Sequence, residues 1–272
     1  MFQLQVVKGA ELELRYGSRV ALAASDFTVP AAAVTAVIGA NGSGKSTLLA
    51  AIAGLIEPTQ GSLSVLGTTP VEARARVAFV LQSTKVNEVL PVTVREVVAM
   101  GRYSSLGLLG RFGRPDREAV EVAMDRLELH DLAGRHLSEL SGGQRQRVFV
   151  AQGLVQEHDL LLMDEPLTGL DLISTGAINE VIDEERSRGG TVVMTTHDLS
   201  DAARADHVIL LAGKVVAFGP PLEVLIASHL SDAYRSKVLD SDGRLLLDDA
   251  AHRPTDSRHV HIDLGTTTHQ HD

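Results

Sequence analysis

Val34-Thr35-Ala36-Val37-Ile38-Gly39-Ala40-Asn41-Gly42-Ser43-Gly44-Lys45-Ser46-Thr47 runs from β-branched residues through a glycine-rich curl to a lysine and two hydroxyls. Residues 34–38 predict a short buried strand that stops at Gly39. Residues 46–55 are strong helix formers, with Gly54 and Pro58 marking the end. A triphosphate needs several backbone N–H donors aimed at one point. Gly39, Gly42 and Gly44 let the chain curl into such a nest, and the following helix adds the positive end of its dipole. Lys45 supplies a mobile cation for the β- and γ-phosphates, and the Ser46 hydroxyl can ligate Mg²⁺. A plain glycine-rich turn shares the composition, but the buried strand before it and the helix after it are the context that nucleotide binding requires.

Working outward, the flanks alternate strands with helices. Leu4, Val6, Leu12 and Leu14 alternate with polar neighbours, as half-buried antiparallel strands do. Buried strands are expected at 77–81, 160–163 and 191–195, and a closing hairpin at 208–211 and 215–218. Residues 94–140 read as helical, with 118–129 amphipathic, followed by helices at 141–155 and 177–188. Such alternation implies a mostly parallel, covered sheet. The apolar strand Leu160-Leu161-Leu162-Met163 delivers Asp164 at its carboxyl end, where it can hold Mg²⁺ or its water, and Glu165 follows within reach of an attacking water. A strand ending in solvated acids would look the same. Leu140-Ser141-Gly142-Gly143-Gln144 opens a helix whose first N–H groups seek an anion, or whose serine is simply an N-cap.

Composition bounds the remaining possibilities. The chain has 272 residues, 44% of them hydrophobic, enough for one large α/β domain. A formal net charge of −10 and scattered basic residues argue against a nucleic-acid partner. The absence of cysteine removes disulfides and thiolate metal sites. No apolar stretch approaches the ~20 residues of a membrane span, and the first residues lack the pattern of a signal peptide. The expectation is a cytoplasmic protein.

Taken in order, these motifs resemble the ATP-binding cassette ATPases over residues 1–225. Leu140 to Gln144 is similar to that family's signature motif. Tyr16 resembles the aromatic that stacks on adenine, Gln82 the Q-loop glutamine, Asp171 the D-loop aspartate and His197 the switch histidine. Thr168-Gly169 departs from the Ser-Ala often found there. The resemblance implies an α/β P-loop NTPase: a RecA-like core, an N-terminal antiparallel β-subdomain and an inserted helical signature subdomain. It implies ATP and Mg²⁺ as cofactors, with Tyr16, Gly39 to Thr47, Ser141 to Gln144 and Asp171 around the nucleotide. Ser46, Gln82 and Asp164 would attend the metal, and Glu165, His197, Gln82 and Lys45 would serve catalysis. The expected division is a cassette over 1–228, with the helical part near 86–150, and an extension over 229–272.

By the same resemblance, two copies (or this chain and a related cassette) meet head to tail on ATP. The pair would sit on the inner face of the cell membrane through an integral membrane permease, with an extracellular or periplasmic solute-binding protein beyond it. Residues 83–114 would dock on the permease. Residues 91–103 and 147–152 look like the zinc/manganese branch, whose pattern iron-chelate importers share. An exporter cassette or a non-transport cassette protein is a rival, but the latter usually carries two cassettes or a long coiled coil. In the tail, His259-x-His261 and His269-x-His271 either bind metal loosely or are merely solvated.

Overall fold

The computed structural model describes residues 4–82, 91–106, 110–234, 239–241 and 244–246. The tail from residue 247 on and residues 83–90 and 107–109 of the expected docking segment lie outside them.

An antiparallel sheet is built first, from β1 (Gln5–Tyr16), β2 (Arg19–Leu22), β3 (Phe27–Pro30) and β5 (Gln60–Val65). Its spine is one long strand rather than several short ones. β1 pairs with β2 near one end and β3 near the other, and its alternation of buried and exposed residues breaks where the register shifts.

The second sheet has the order β10-β9-β4-β8-β7-β6, made of β4 (Val34–Gly39), β6 (Val77–Val80), β7 (Leu160–Met163), β8 (Thr191–Thr196), β9 (His207–Leu211) and β10 (Val215–Gly219). All are parallel except β10, which closes the edge as an antiparallel hairpin with β9. β4, β7 and β8 are buried throughout, as a sheet covered on both faces requires. Successive residues serve opposite cores. Leu160 and Leu162 join Val37 and helix α1 (Lys45–Ile52) beneath the antiparallel sheet. Leu161 and Met163 join Ala36 and Ile38 on the other face.

That other face is covered by helices: α3 (Val94–Met100), α5 (Arg114–Arg126), α6 (Gly142–Leu154) and α7 (Leu172–Ser187), with the short α4 (Tyr103–Leu106) between. The segment expected to be helical over 94–140 is broken where Gly101, Gly110 and Gly113 fall, and it ends in 3₁₀ turns at His130–Leu132 and Leu137–Glu139. α2 (Pro70–Ala73) links β5 to β6, while α8 (Leu199–Arg204), α9 (Pro221–Val224) and α10 (Ala227–Tyr234) border the hairpin. β11 (Leu239–Ser241) pairs with β12 (Arg244–Leu246). Among the described residues, no helix is long and apolar enough to cross a membrane.

Candidate functional site

Parallel strands end together, so the segments leaving β4, β6, β7 and β8 converge at one edge of the sheet. β4 feeds the glycine-rich loop. Gly44 takes φ 105° and serves as N-cap of α1, a backbone region closed to ordinary side chains. No side chain caps that helix and no acidic residue stands in its first turn, so its leading N–H groups keep their capacity for an anion. The buried Lys45 donates from Nζ to the carbonyls of Gly39 (2.8 Å) and Ala40 (3.4 Å). Burial lowers its pKa, while the carboxylates of Glu165 and Asp164 pull the other way. Beneath the loop, Ser43 Oγ is buried without a protein partner, and the Ser43 carbonyl accepts the Gly213 N–H at 3.1 Å.

Above the loop lies a cavity of about 470 Å³ bordered by Tyr16, Arg19, Asn41, Gly42, Thr47 and Glu165, among others. Tyr16 is 56% exposed on its rim, available to a planar ring. An anion-seeking loop under a half-open aromatic rim fits a nucleotide triphosphate. Ser46 Oγ donates to Asp164 Oδ1 at 3.1 Å, a pair of hard oxygens of the kind magnesium takes.

At the end of β7, one hydroxyl ties the acids together. Thr195 Oγ1 donates to Asp164 Oδ1 (2.6 Å) and accepts the Glu165 N–H (2.8 Å). Glu165 adopts φ 48°, a left-handed conformation uncommon for a non-glycine residue. Its carboxylate accepts from Gln82 Nε2 (3.1 Å) and Thr168 Oγ1 (3.3 Å). Gln82 also borders a second cavity, about 310 Å³, with Phe79, Phe149, Gln152 and Asp164.

The signature residues stand elsewhere. Ser141 caps α6 by accepting the Gln144 N–H at 3.2 Å, while Gln144 Oε1 accepts the Ser141 N–H at 3.0 Å. This completes a capping box. Gly143 presses on the start of α7: a Cβ there would lie 2.5 Å from Asp171 Oδ2 and 2.6 Å from Ser174 Oγ. Asp171 in turn caps α7, accepting from Ser174 N at 2.8 Å, and this bond is the main reason its carboxyl titrates below the ordinary range. None of Ser141, Gly142, Gly143, Gln144, Asp171 or His197 borders the nucleotide cavity. His197 is exposed just past β8.

The structure thus gathers Tyr16, Asn41, Gly42, Gly44, Lys45, Ser46, Thr47, Asp164, Glu165 and Gln82 around one region. It adds Thr195, Thr168 and Arg19, which motif reading missed. Thr195 is the next-to-last residue of β8, and the pairing of β8 with β7 brings its hydroxyl to both acids.

A family model described as ABC transporter matches residues 22–168. The chain is 38% identical over 229 residues to the zinc transport system ATP-binding protein TroB of Treponema pallidum, covering 84% of this chain and 86% of that one. It is 38% identical over 211 residues to the manganese transport system ATP-binding protein MntB of Bacillus subtilis, covering 77% and 84%. A metal-chelate type ABC transporter solved in an inward-facing conformation is similar at a TM-score of 0.75, with 27% identity over 88% of this chain and 94% of that one. A bacterial ABC transporter cassette solved as a dimer is similar at a TM-score of 0.70, with 26% identity over 79% and 98%.

Proposed function

The chain belongs to the ABC transporter family as an ATP-binding, ATP-hydrolysing subunit, and on that premise we propose that it energises import of a metal ion, zinc or manganese, through a separate membrane permease. The substrate class rests on TroB and MntB, relatives named for zinc and manganese transport. A second reading, import of an iron chelate, is favoured by similarity to a metal-chelate type transporter.

One observation carries the mechanism. The phosphate loop and the Ser141 helix start are both built for an anion, yet Ser141 does not border the cavity that the loop serves. One chain therefore offers ATP half its contacts. The other half comes from Ser141 and Gly143 of a second copy, with Asp171 at the seam. Tyr16 stacks on adenine, the loop N–H groups and Lys45 bind the phosphates, and Ser46, Gln82 and Asp164 would hold Mg²⁺. Such an ion would supply positive charge to offset that of the phosphates. Glu165 orients the attacking water and accepts its proton, and His197 contacts the γ-phosphate. The water oxygen bonds to the γ-phosphorus as the bond to the β-bridging oxygen breaks.

In this reading residues 1–228 form the cassette, 86–150 the helical lever and 229–272 an extension. Gln82 links the site to the lever, whose segment 83–114 meets the permease on the inner face of the membrane. A solute-binding protein delivers the metal from outside, and nucleic acid has no part. The test is ATPase activity after reconstitution with the permease and the loaded solute-binding protein. Stimulation by zinc or manganese is expected. Stimulation by an iron chelate alone would transfer the substrate to the second reading.

A further inference from the structure

Thr196, the last residue of β8, is buried, and its hydroxyl makes two bonds that bracket His197. Oγ1 accepts the Asp198 N–H at 3.0 Å, closing a turn of which His197 is the middle residue. The same oxygen donates to Asp201 Oδ2 at 3.2 Å. A hydroxyl has one proton and two lone pairs. Giving the proton to Asp201 turns a lone pair toward the Asp198 amide. Asp198 then caps α8, accepting the Ser200 N–H at 2.7 Å. On its other side His197 is held by the strand, because Thr196 sits in register with Ile38 of β4. The exposed imbalance lies at the ring itself: the backbone on both sides is tied, while the imidazole stands clear of the core.

A bland account exists for each group. A buried threonine needs a partner, and an acid in the first turn of a helix suits its dipole. Asp201 is nevertheless held at a disadvantage. Burial, and then its neighbour Asp198, raise its carboxyl pKa against the pull of Thr196, Arg204 and His197. Asp183 and Arg186 of α7 border the same narrow cleft. An acid kept where its charge is disfavoured, with its hydroxyl contact aimed at one turn, points to a task at that turn.

We propose that Thr196 and Asp201 are positioning residues for His197: Asp201 orients the Thr196 hydroxyl, and the turn it closes fixes the direction in which the imidazole leaves the strand. The inference rests on the reading of His197 as the histidine that meets the γ-phosphate.

The experiment is steady-state ATP hydrolysis by purified full-length variants, with KM, kcat and Tm measured together. Thr196→Val keeps the branched shape and removes the hydroxyl. It should lower kcat about tenfold with KM within about twofold, and Thr196→Ser should restore most of the loss. Asp201→Ala should lower kcat severalfold, and Asp201→Asn, whose amide oxygen still accepts, should recover it. Added to His197→Ala, Thr196→Val should lower kcat no further, because a residue acting through His197 has nothing left to position. Two outcomes overturn the inference while sparing the role of His197. One is a Thr196→Val kcat within about twofold of the parent. The other is a fall in kcat shared by KM and Tm that serine does not repair. Parent-level hydrolysis by His197→Ala would instead remove the role of His197, and the inference with it.

Discussion

Helices α1 and α6 both begin beside glycines, and they treat their first N–H groups in opposite ways. α1 starts from a left-handed Gly44 with no side-chain cap. α6 starts from Ser141 with a completed capping box. An uncapped start forgoes roughly 1 kcal/mol, so the loop at α1 is organised for a ligand before the ligand arrives. At the start of α6 the Ser141 and Gln144 N–H groups already have side-chain partners, so an incoming phosphate finds fewer open donors there, among them the Ser141 hydroxyl proton. A difference of this kind gives lasting affinity to one surface and conditional engagement to the other, as suits a contact that must be made and released in every cycle.

Freezing both surfaces on ATP gives the largest expected effect. Glu165→Gln should lower kcat by about 10³-fold or more while ATP stays bound. Light scattering should then show an ATP-dependent dimer, and hydrolysis at the parent rate would sink the assignment of the base. Disturbing only the pre-organised start comes next. Gly44→Ala forces a side chain into φ 105° with its Cβ 2.6 Å from the Ala21 carbonyl oxygen. ATP affinity should fall about 100-fold in a fluorescence titration, near 3 kcal/mol. Ser141→Arg should leave monomer ATP affinity within about twofold yet abolish ATP-dependent dimerisation. Equal damage to both quantities would erase the contrast between the two starts.

The smallest effect concerns the far end of the helical layer. Arg126 at the end of α5 bonds Glu184 (2.7 Å) and Glu185 (2.9 Å) of α7, and His158 Nε2 stands 3.7 Å from Glu185. Burial alone would push the His158 pKa down, but Glu185 and the Gln156 carbonyl more than offset it, and the net shift is upward. His158, Arg126 and their charges bring Glu185 down to about 2. The His158 contribution is fully present below the unfolded histidine value and is lost as pH rises through the raised folded one. That of Glu185 is present above the ordinary glutamate value and lost only as pH falls through about 2. Raising pH from 6 to 8.5 should therefore lower stability slightly, read as a small fall in Tm that His158→Gln does not show. ATP affinity at the α1 start should not follow it.

Much of this contrast was legible in the sequence, because strand, glycines, lysine and helix are contiguous and their spacing is the chemistry. The order of motifs gave the acids and the signature in the same way. The features that stayed hidden depend on neighbours distant in sequence. Thr195 acts on acids some thirty residues away through a strand pairing. α7 begins at Leu172, five residues before the expected start. Leu172 and Ile173 are 92% and 67% exposed, so hydrophobic periodicity had no face to follow there. The Asp171 cap that fixes this start was read only as part of a motif. Lengths of secondary structure failed where glycines broke the segment 94–140, since local propensity alone does not say which breaks the tertiary packing will accept.

The bond from Gly213 to the Ser43 carbonyl has a mechanical meaning. The turn between β9 and β10 also accepts the Ala23 N–H at its own carbonyl, 2.7 Å away, and so rivets the antiparallel sheet to the phosphate loop. The last hairpin of the sheet is therefore part of the nucleotide loop's foundation. A protein cut or spliced within that hairpin would lose its grip on ATP although none of the severed residues touches it. By the same route, whatever pulls on the chain after β10 has a short lever to the loop.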